Sequence, residues 1–168
     1  VREGAAPIGP WDGVPPPSDV SYRLVVGGPV LIVDDNEADR VLTRLMLERS
    51  QRWGPVGTVS SGEDALAMFA DFEATQAANP EHFPPRLLLL DINMPRMNGF
   101  EFLEALGGLE LPEDRAPAIV VMLSSEHATG DRRRAERFAA VRGFVHKPLT
   151  VDHAIELADV HSAGGVAQ

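Results

Sequence analysis

Residues 87–95 read LLLLDINMP: four consecutive leucines run into Asp91 and then into a proline turn. A short apolar run closed by a turn signal is the pattern of a strand buried on both faces, although periodicity alone also allows a piece of buried helix. The carboxylate of Asp91 then stands where a core strand reaches the surface. In open parallel α/β sheets this is the edge that binds ligands, in the crevice beyond the carboxyl ends of the strands. A lone acid there is more often a turn or helix-cap residue. Its meaning depends on what the other strands deliver to the same edge.

From residue 30 onward, apolar runs alternate with helical patterns. Val30–Val33 is a first strand, and Asn36 can cap a helix with Ala38, Val41, Leu42, Leu45 and Met46 on one face, ending near Trp53-Gly54-Pro55. A second strand, Val56–Val59, precedes a helix that Ser61 and Asp64 start, with Ala65, Leu66 and Phe69 facing inward. An irregular connection is expected over 75–85. Leu87–Leu90 is the third strand, Phe100–Leu106 a helix stopped by Gly107-Gly108, and Ala118–Leu123 the fourth strand. A helix over 132–140, a fifth strand at Gly143–His146 and a short closing helix over 150–160 complete the pattern. Such alternation predicts an α/β fold, a parallel sheet covered on both faces.

The totals bound the function. A chain of 168 residues fits one domain with a tail. Residues 1–28 hold many of the prolines and few large apolar residues, and read as an N-terminal extension. Residues 29–160 form the domain and 161–168 a C-terminal tail too short to fold. Val20–Val26 could add a strand through a Gly27-Gly28 turn, but a first strand with both sheet edges occupied disfavours it. The chain opens at Val1 with no methionine before Met46, so its natural beginning is not visible.

With no cysteine, disulfides, thiolate metal sites and cysteine nucleophiles are excluded. Fifteen basic against twenty-five acidic side chains give a formal charge of −10, which argues against direct nucleic-acid binding. No apolar stretch approaches the roughly 18 residues of a membrane span, and no secretory leader pattern opens the chain. The expectation is a cytoplasmic protein without membrane contact.

The strand ends carry the chemistry. The first strand ends in Asp34-Asp35, the second in Ser60-Ser61, the third in Asp91, the fourth in Ser124-Ser125 and the fifth in Lys147-Pro148. In a parallel sheet these ends share one edge, so three carboxylates, a hydroxyl and an ammonium converge. Three carboxylates so close repel one another without a counter-charge. Mg²⁺ is the simplest remedy, since it takes oxygen ligands and is usually held by one or two carboxylates with phosphate completing the shell. Lys147 adds a point charge for a carboxylate or a phosphate oxygen. The set suits phosphoryl transfer to a carboxylate nucleophile, giving an aspartyl phosphate.

These segments resemble the receiver domain of two-component response regulators: VDDN at 33–36, LLLLDINMPRMNGFEFL at 87–103, VMLSSE at 121–126 and GFVHKPL at 143–149. The resemblance covers about residues 29–160. It implies a doubly wound, flavodoxin-like sheet of five parallel strands in the order 2-1-3-4-5. It further implies that Asp91 is the phosphoacceptor, that Asp35 and Asp91 bind Mg²⁺ directly with Asp34 acting through water, and that the Asn93 carbonyl completes the protein ligands. Ser124 and Lys147 contact the phosphoryl group, and Phe144 with Ser124 forms the switch that reports phosphorylation. In this family the bond before Pro148 is typically cis. The implied partner is a sensor histidine kinase or phosphotransfer protein. Pairing into a homodimer is expected of a receiver without an attached output, and a weaker likeness points to receivers that serve bacterial phytochrome kinases.

Two rivals remain. An aspartate-nucleophile phosphohydrolase of the haloacid dehalogenase type usually carries a second acid two residues after the first, where this chain has Asn93. An interaction module independent of phosphate fits poorly with the intact set Asp34, Asp35, Asp91, Ser124 and Lys147. The principal expectation is a signalling switch rather than an enzyme. The run Arg132-Arg133-Arg134 reads first as a solvated helix face and second as a docking patch.

Overall fold

The computed structural model describes residues 10–11, 27–125 and 129–164. The strands are β1 (Val30–Val33), β2 (Val56–Val59), β3 (Leu87–Asp91), β4 (Ile119–Ser124) and β5 (Val141–His146). The helices are α1 (Glu37–Ser50), α2 (Gly62–Ala70), α3 (Phe72–Ala78), α4 (Gly99–Gly108), α5 (Thr129–Ala135) and α6 (Val151–Gly164). All strand pairs are parallel, and the order is β2-β1-β3-β4-β5, the doubly wound arrangement expected.

The leucine run lies in the middle strand, and Leu87 to Leu90 are fully buried. Because successive side chains of a strand point to opposite faces, the run serves two cores at once. Leu88 and Leu90 join Leu31, Val33, Val120 and Met122 in one core, packed with Phe69, Phe100, Phe102 and Leu103. Leu87 and Leu89 join Val30, Ile32, Val121 and Leu123 in the other, with Leu47, Ala154 and Ala158. A strand with only one buried face would alternate with polar residues; this one has no solvent face.

Local capping starts the helices where the chain leaves the sheet. Asn36 accepts from the Asp39 amide (3.2 Å) and Ser61 from the Asp64 amide (3.1 Å), the two caps expected. At α4 the cap is Asn98, in a reciprocal box with Glu101: the Asn98 side chain accepts from the Glu101 amide (3.0 Å) and the Glu101 carboxylate accepts from the Asn98 amide (2.9 Å).

Several expectations are corrected. On α1, Val41, Leu42 and Leu45 are exposed, and the helix instead buries Thr43, Leu47 and Ser50 with Met46 beside them. The inward stripe includes two hydroxyl residues, of which Ser50 donates to the Leu47 carbonyl (2.6 Å) and so enters the core without an unmet donor. The region expected to be irregular begins within α3, and α6 continues to Gly164, past the end expected for the closing helix. In the proline-rich extension, Pro10-Trp11 docks on the body, with Trp11 buried. The strand considered at Val20–Val26 lies outside the described residues, apart from nothing more than its junction at Gly27.

The two readings of α1 predict different stabilities. Leu47→Ala should cost roughly 2–5 kcal/mol in urea unfolding, whereas Val41→Gln or Leu45→Gln should stay within about 0.5 kcal/mol of the parent. A large loss for the glutamine variants would restore the face read from periodicity.

Candidate functional site

The parallel register brings the strand ends to one rim. Val33 of β1 lies opposite Val59 and Leu90, so Asp34 leaves the sheet beside the end of β3, where Asp91 is paired with Leu123. Ser124 follows, opposite His146, and Lys147 comes next. Asp34, Asp91 and Ser124 are buried, while Asp35 is exposed. Asp34, Asp35 and Asp91 each offer a carboxylate oxygen, all within 4.8 Å of one another, the one such cluster of acids or histidines among the described residues.

Lys147 closes this rim. Its Nζ lies 2.7 Å from Asp34 Oδ2, 3.0 Å from Asp39 Oδ2 and 3.2 Å from Asp91 Oδ1. The first two contacts are hydrogen bonds; the third is an ion pair not aligned for one, and Asp91 Oδ1 has no hydrogen-bond partner among the described residues. Asp34 is held further by the Asn36 amide, which donates to its Oδ1 at 2.8 Å, and Arg40 Nη1 donates to the Asp34 backbone carbonyl at 2.8 Å. The Lys147–Pro148 bond is cis, and the Lys147 amide donates to the Ser124 carbonyl at 2.8 Å.

The electrostatics follow from this crowding. Burial, then the charge of Asp34, pushes the Asp91 carboxyl up from 3.8 to about 6, against the pull of Lys147 and of a hydrogen bond from the Asn93 backbone. For Lys147, burial alone would favour the neutral amine. Its hydrogen bonds to Asp34 and Asp39 and the charge of Asp91 outweigh burial and raise its pKa above the usual lysine value. The lysine therefore stays charged while Asp91 is an acid whose negative form is held at a cost. A hard cation or a phosphoryl group on Asp91 would relieve that cost.

Asp39 is the site residue that sequence reasoning missed. It looks like a first-turn helix acid, but the cap at Asn36 turns the start of α1 over the rim and brings its carboxylate to Lys147. Asp39, Leu42, Thr43, Ser125, Lys147 and Pro148 line a cleft of about 210 Å³ beside the acids. Asn93 itself is exposed on the loop after β3. Phe144 lies half-buried on β5 opposite Met122, with His146 edge-on to its ring at 5.5 Å.

Gly99 acts by clearance rather than by special backbone angles. A Cβ there would lie 2.6 Å from the Asp91 carbonyl, and the Gly99 amide donates to the Ile92 carbonyl at 2.9 Å. The first turn of α4 is thus pressed directly against the end of β3. Of the arginine run, Arg134 is engaged, with its guanidinium 4.3 Å from the centre of the Phe100 ring and 4.0 Å from Glu104; Arg132 and Arg133 are exposed.

This rim of acids and lysine on a five-stranded doubly wound sheet is the architecture of a signalling receiver. The model of the response regulator receiver domain matches residues 30–159, and the chain belongs to that family. Among curated relatives, the protein-glutamate methylesterase/protein-glutamine glutaminase of Halalkalibacterium halodurans is 32% identical over 119 residues, 71% of this chain and 30% of that protein. The chain thus spans less than a third of that relative's length. A two-component response regulator from Cytophaga hutchinsonii superposes with a TM-score of 0.69 at 26% identity, covering 81% of this chain and 96% of that one. The bacteriophytochrome response regulator AtBRR gives a TM-score of 0.62 at 28% identity, covering 84% and 95%. No helix among the described residues is long and apolar enough to cross a membrane.

The raised pKa of Asp91 makes a signed prediction for protein in EDTA. A carboxyl whose folded value exceeds its unfolded one gives stability that is fully present below the unfolded 3.8 and is lost as pH rises through about 6. Asp91→Asn abolishes this titration. The variant should therefore gain on the parent across that window, by up to about 3 kcal/mol at neutral pH in urea unfolding. Parallel stability curves for the two proteins would show that Asp91 is not strained.

Proposed function

We propose that Asp91 is the phosphoacceptor of a two-component switch. The observation that carries this reading is the convergence of Asp34, Asp35 and Asp91 within 4.8 Å, with the Lys147 ammonium in contact with two of the three. A carboxylate oxygen of Asp91 attacks the phosphorus of a phosphohistidine on a sensor kinase or phosphotransfer protein. The phosphorus–nitrogen bond breaks, and the imidazole leaves with its electron pair and takes up a proton. The new group is an acyl phosphate.

The donor set is all oxygen and carries more negative charge than one lysine offsets, which fits Mg²⁺. Asp35 and Asp91 would hold the ion directly, with Asp34 through water and the Asn93 carbonyl as the remaining protein ligand. Bound there, Mg²⁺ supplies neutralisation of the phosphoryl oxygens. Lys147 gives a second cation on the same side, and Ser124 a hydroxyl that can donate to a phosphoryl oxygen. Lys147 would have to shift from its bonds with Asp34 and Asp39 toward the arriving phosphate.

Phosphorylation then biases two arrangements of Ser124 and Phe144, altering the face formed by β4, β5 and the adjoining helices. On this reading the protein is a switch rather than a turnover catalyst. It acts in the cytoplasm through protein partners, with homodimer formation as one output. Residues 29–160 form the working unit, with α6 carrying on to Gly164.

Acetyl phosphate with Mg²⁺ should add one phosphoryl group to the parent chain by intact mass. Asp91→Asn and an EDTA-treated sample should stay unlabelled, and Lys147→Ala should label far more slowly. Equal labelling of the Asp91→Asn chain would overturn the assignment. Sustained turnover of a small phosphate ester would instead favour the hydrolase.

A further inference from the structure

Strand β2 is an edge of the sheet, hydrogen-bonded within it to β1 alone. An exposed edge presents unpaired amides and carbonyls and invites pairing with another chain. Here the Thr58 amide donates to the Pro10 carbonyl at 3.2 Å, so the N-terminal segment meets the edge through its backbone. The next residue, Trp11, is 3% exposed. Its indole lies against Gly57, where a Cβ would sit 2.6 Å from Trp11 Cε2 and Nε1. A strand glycine often marks such a close approach.

The rest of the slot is aromatic. The Trp11 ring is centred 5.9 Å from that of His82 and 6.4 Å from that of Phe83, and Phe83 in turn lies 5.1 Å from both Phe69 and Phe72. Among the described residues, neither Trp11 Nε1 nor His82 Nε2 has a hydrogen-bond partner, so the contacts of the indole there are those of its rings.

We infer that the outer edge of β2, with the aromatic slot over Gly57, is a docking groove for a tryptophan-bearing segment, and that its resident occupant is the N-terminal arm of the same chain. Chain length favours the arm over a second copy. Fifteen residues separate Trp11 from Gly27 in the sequence, and two sites joined in one chain at so short a separation meet at an effective concentration of order millimolar, above ordinary protein concentrations. The arm is a removable edge guard. It is anchored at its far end, where the Gly27 amide donates to the Arg52 carbonyl at 2.9 Å. Any protein that reads this side of the receiver must displace Trp11 first.

Fluorine NMR of the full chain labelled with fluorotryptophan tests this, because Trp11 and Trp53 are its two tryptophans. Trp11→Phe assigns the signals. The Trp11 resonance should show a shielded environment in the parent and move to that of a free indole in Gly57→Val, while the buried Trp53 signal stays put and reports an intact fold. A free-indole Trp11 signal in the parent, or no movement in Gly57→Val, overturns the groove. Release of Trp11 on roughly hundredfold dilution would overturn the same-chain occupant, since a tethered contact does not respond to dilution. As a check independent of the glycine change, a synthetic peptide of residues 6–16 should shift backbone amide signals of β2 in full-length Trp11→Ala but not in the parent. Shifts in neither protein would also count against the groove.

Discussion

The ammonium of Lys147 is the contact on which the rim depends. Asp34 and Asp91 are buried, and Asp39 joins them from α1. Without an internal cation this much negative charge would push the ends of β1 and β3 and the first turn of α1 apart or force the acids to take up protons. One lysine touching three carboxylates leaves the balance unfinished: the site is negative on the whole, and Asp91 bears the strain as an elevated pKa. The deficit falls where Asp34, Asp35 and Asp91 meet.

The sheet makes this arrangement from few parts. Asp34 and Lys147 are the first residues past β1 and β5, and Asp91 is the last residue of β3, so the register of the sheet sets where their backbone stands at the rim. The caps at Asn36 and Asn98 turn the chain sharply into α1 and α4 and keep the loops short on both sides of Asp91. Rigid strands hold the acids; capped helix starts decide what surrounds them.

Much of this was legible in the sequence, and the reasons are specific. The LLLLD run read as a strand buried on both faces, the alternation of such runs with helical patterns gave the parallel sheet, and in a parallel sheet the acids and lysine after the runs share one edge. The inward face of α1 was hidden because its core positions include Thr43 and Ser50, the latter with its hydroxyl bonded to the Leu47 carbonyl, while Val41, Leu42 and Leu45 are exposed. Asp39 was hidden because a first-turn acid looks the same whether it serves the helix dipole or a distant lysine. Trp11 was hidden by its proline-rich surroundings, and only the glycine in β2 hinted that something packs closely there. In each case the missing information was a contact between residues far apart in the chain.

Gly99 shows how narrowly such a pocket constrains its own future. The residue carries no charge, yet the smallest side chain would wedge the opening turn of α4 away from the backbone carbonyl of Asp91. A side chain is therefore excluded at a position that an inspection of the charged groups would pass over, for reasons of clearance and not of charge.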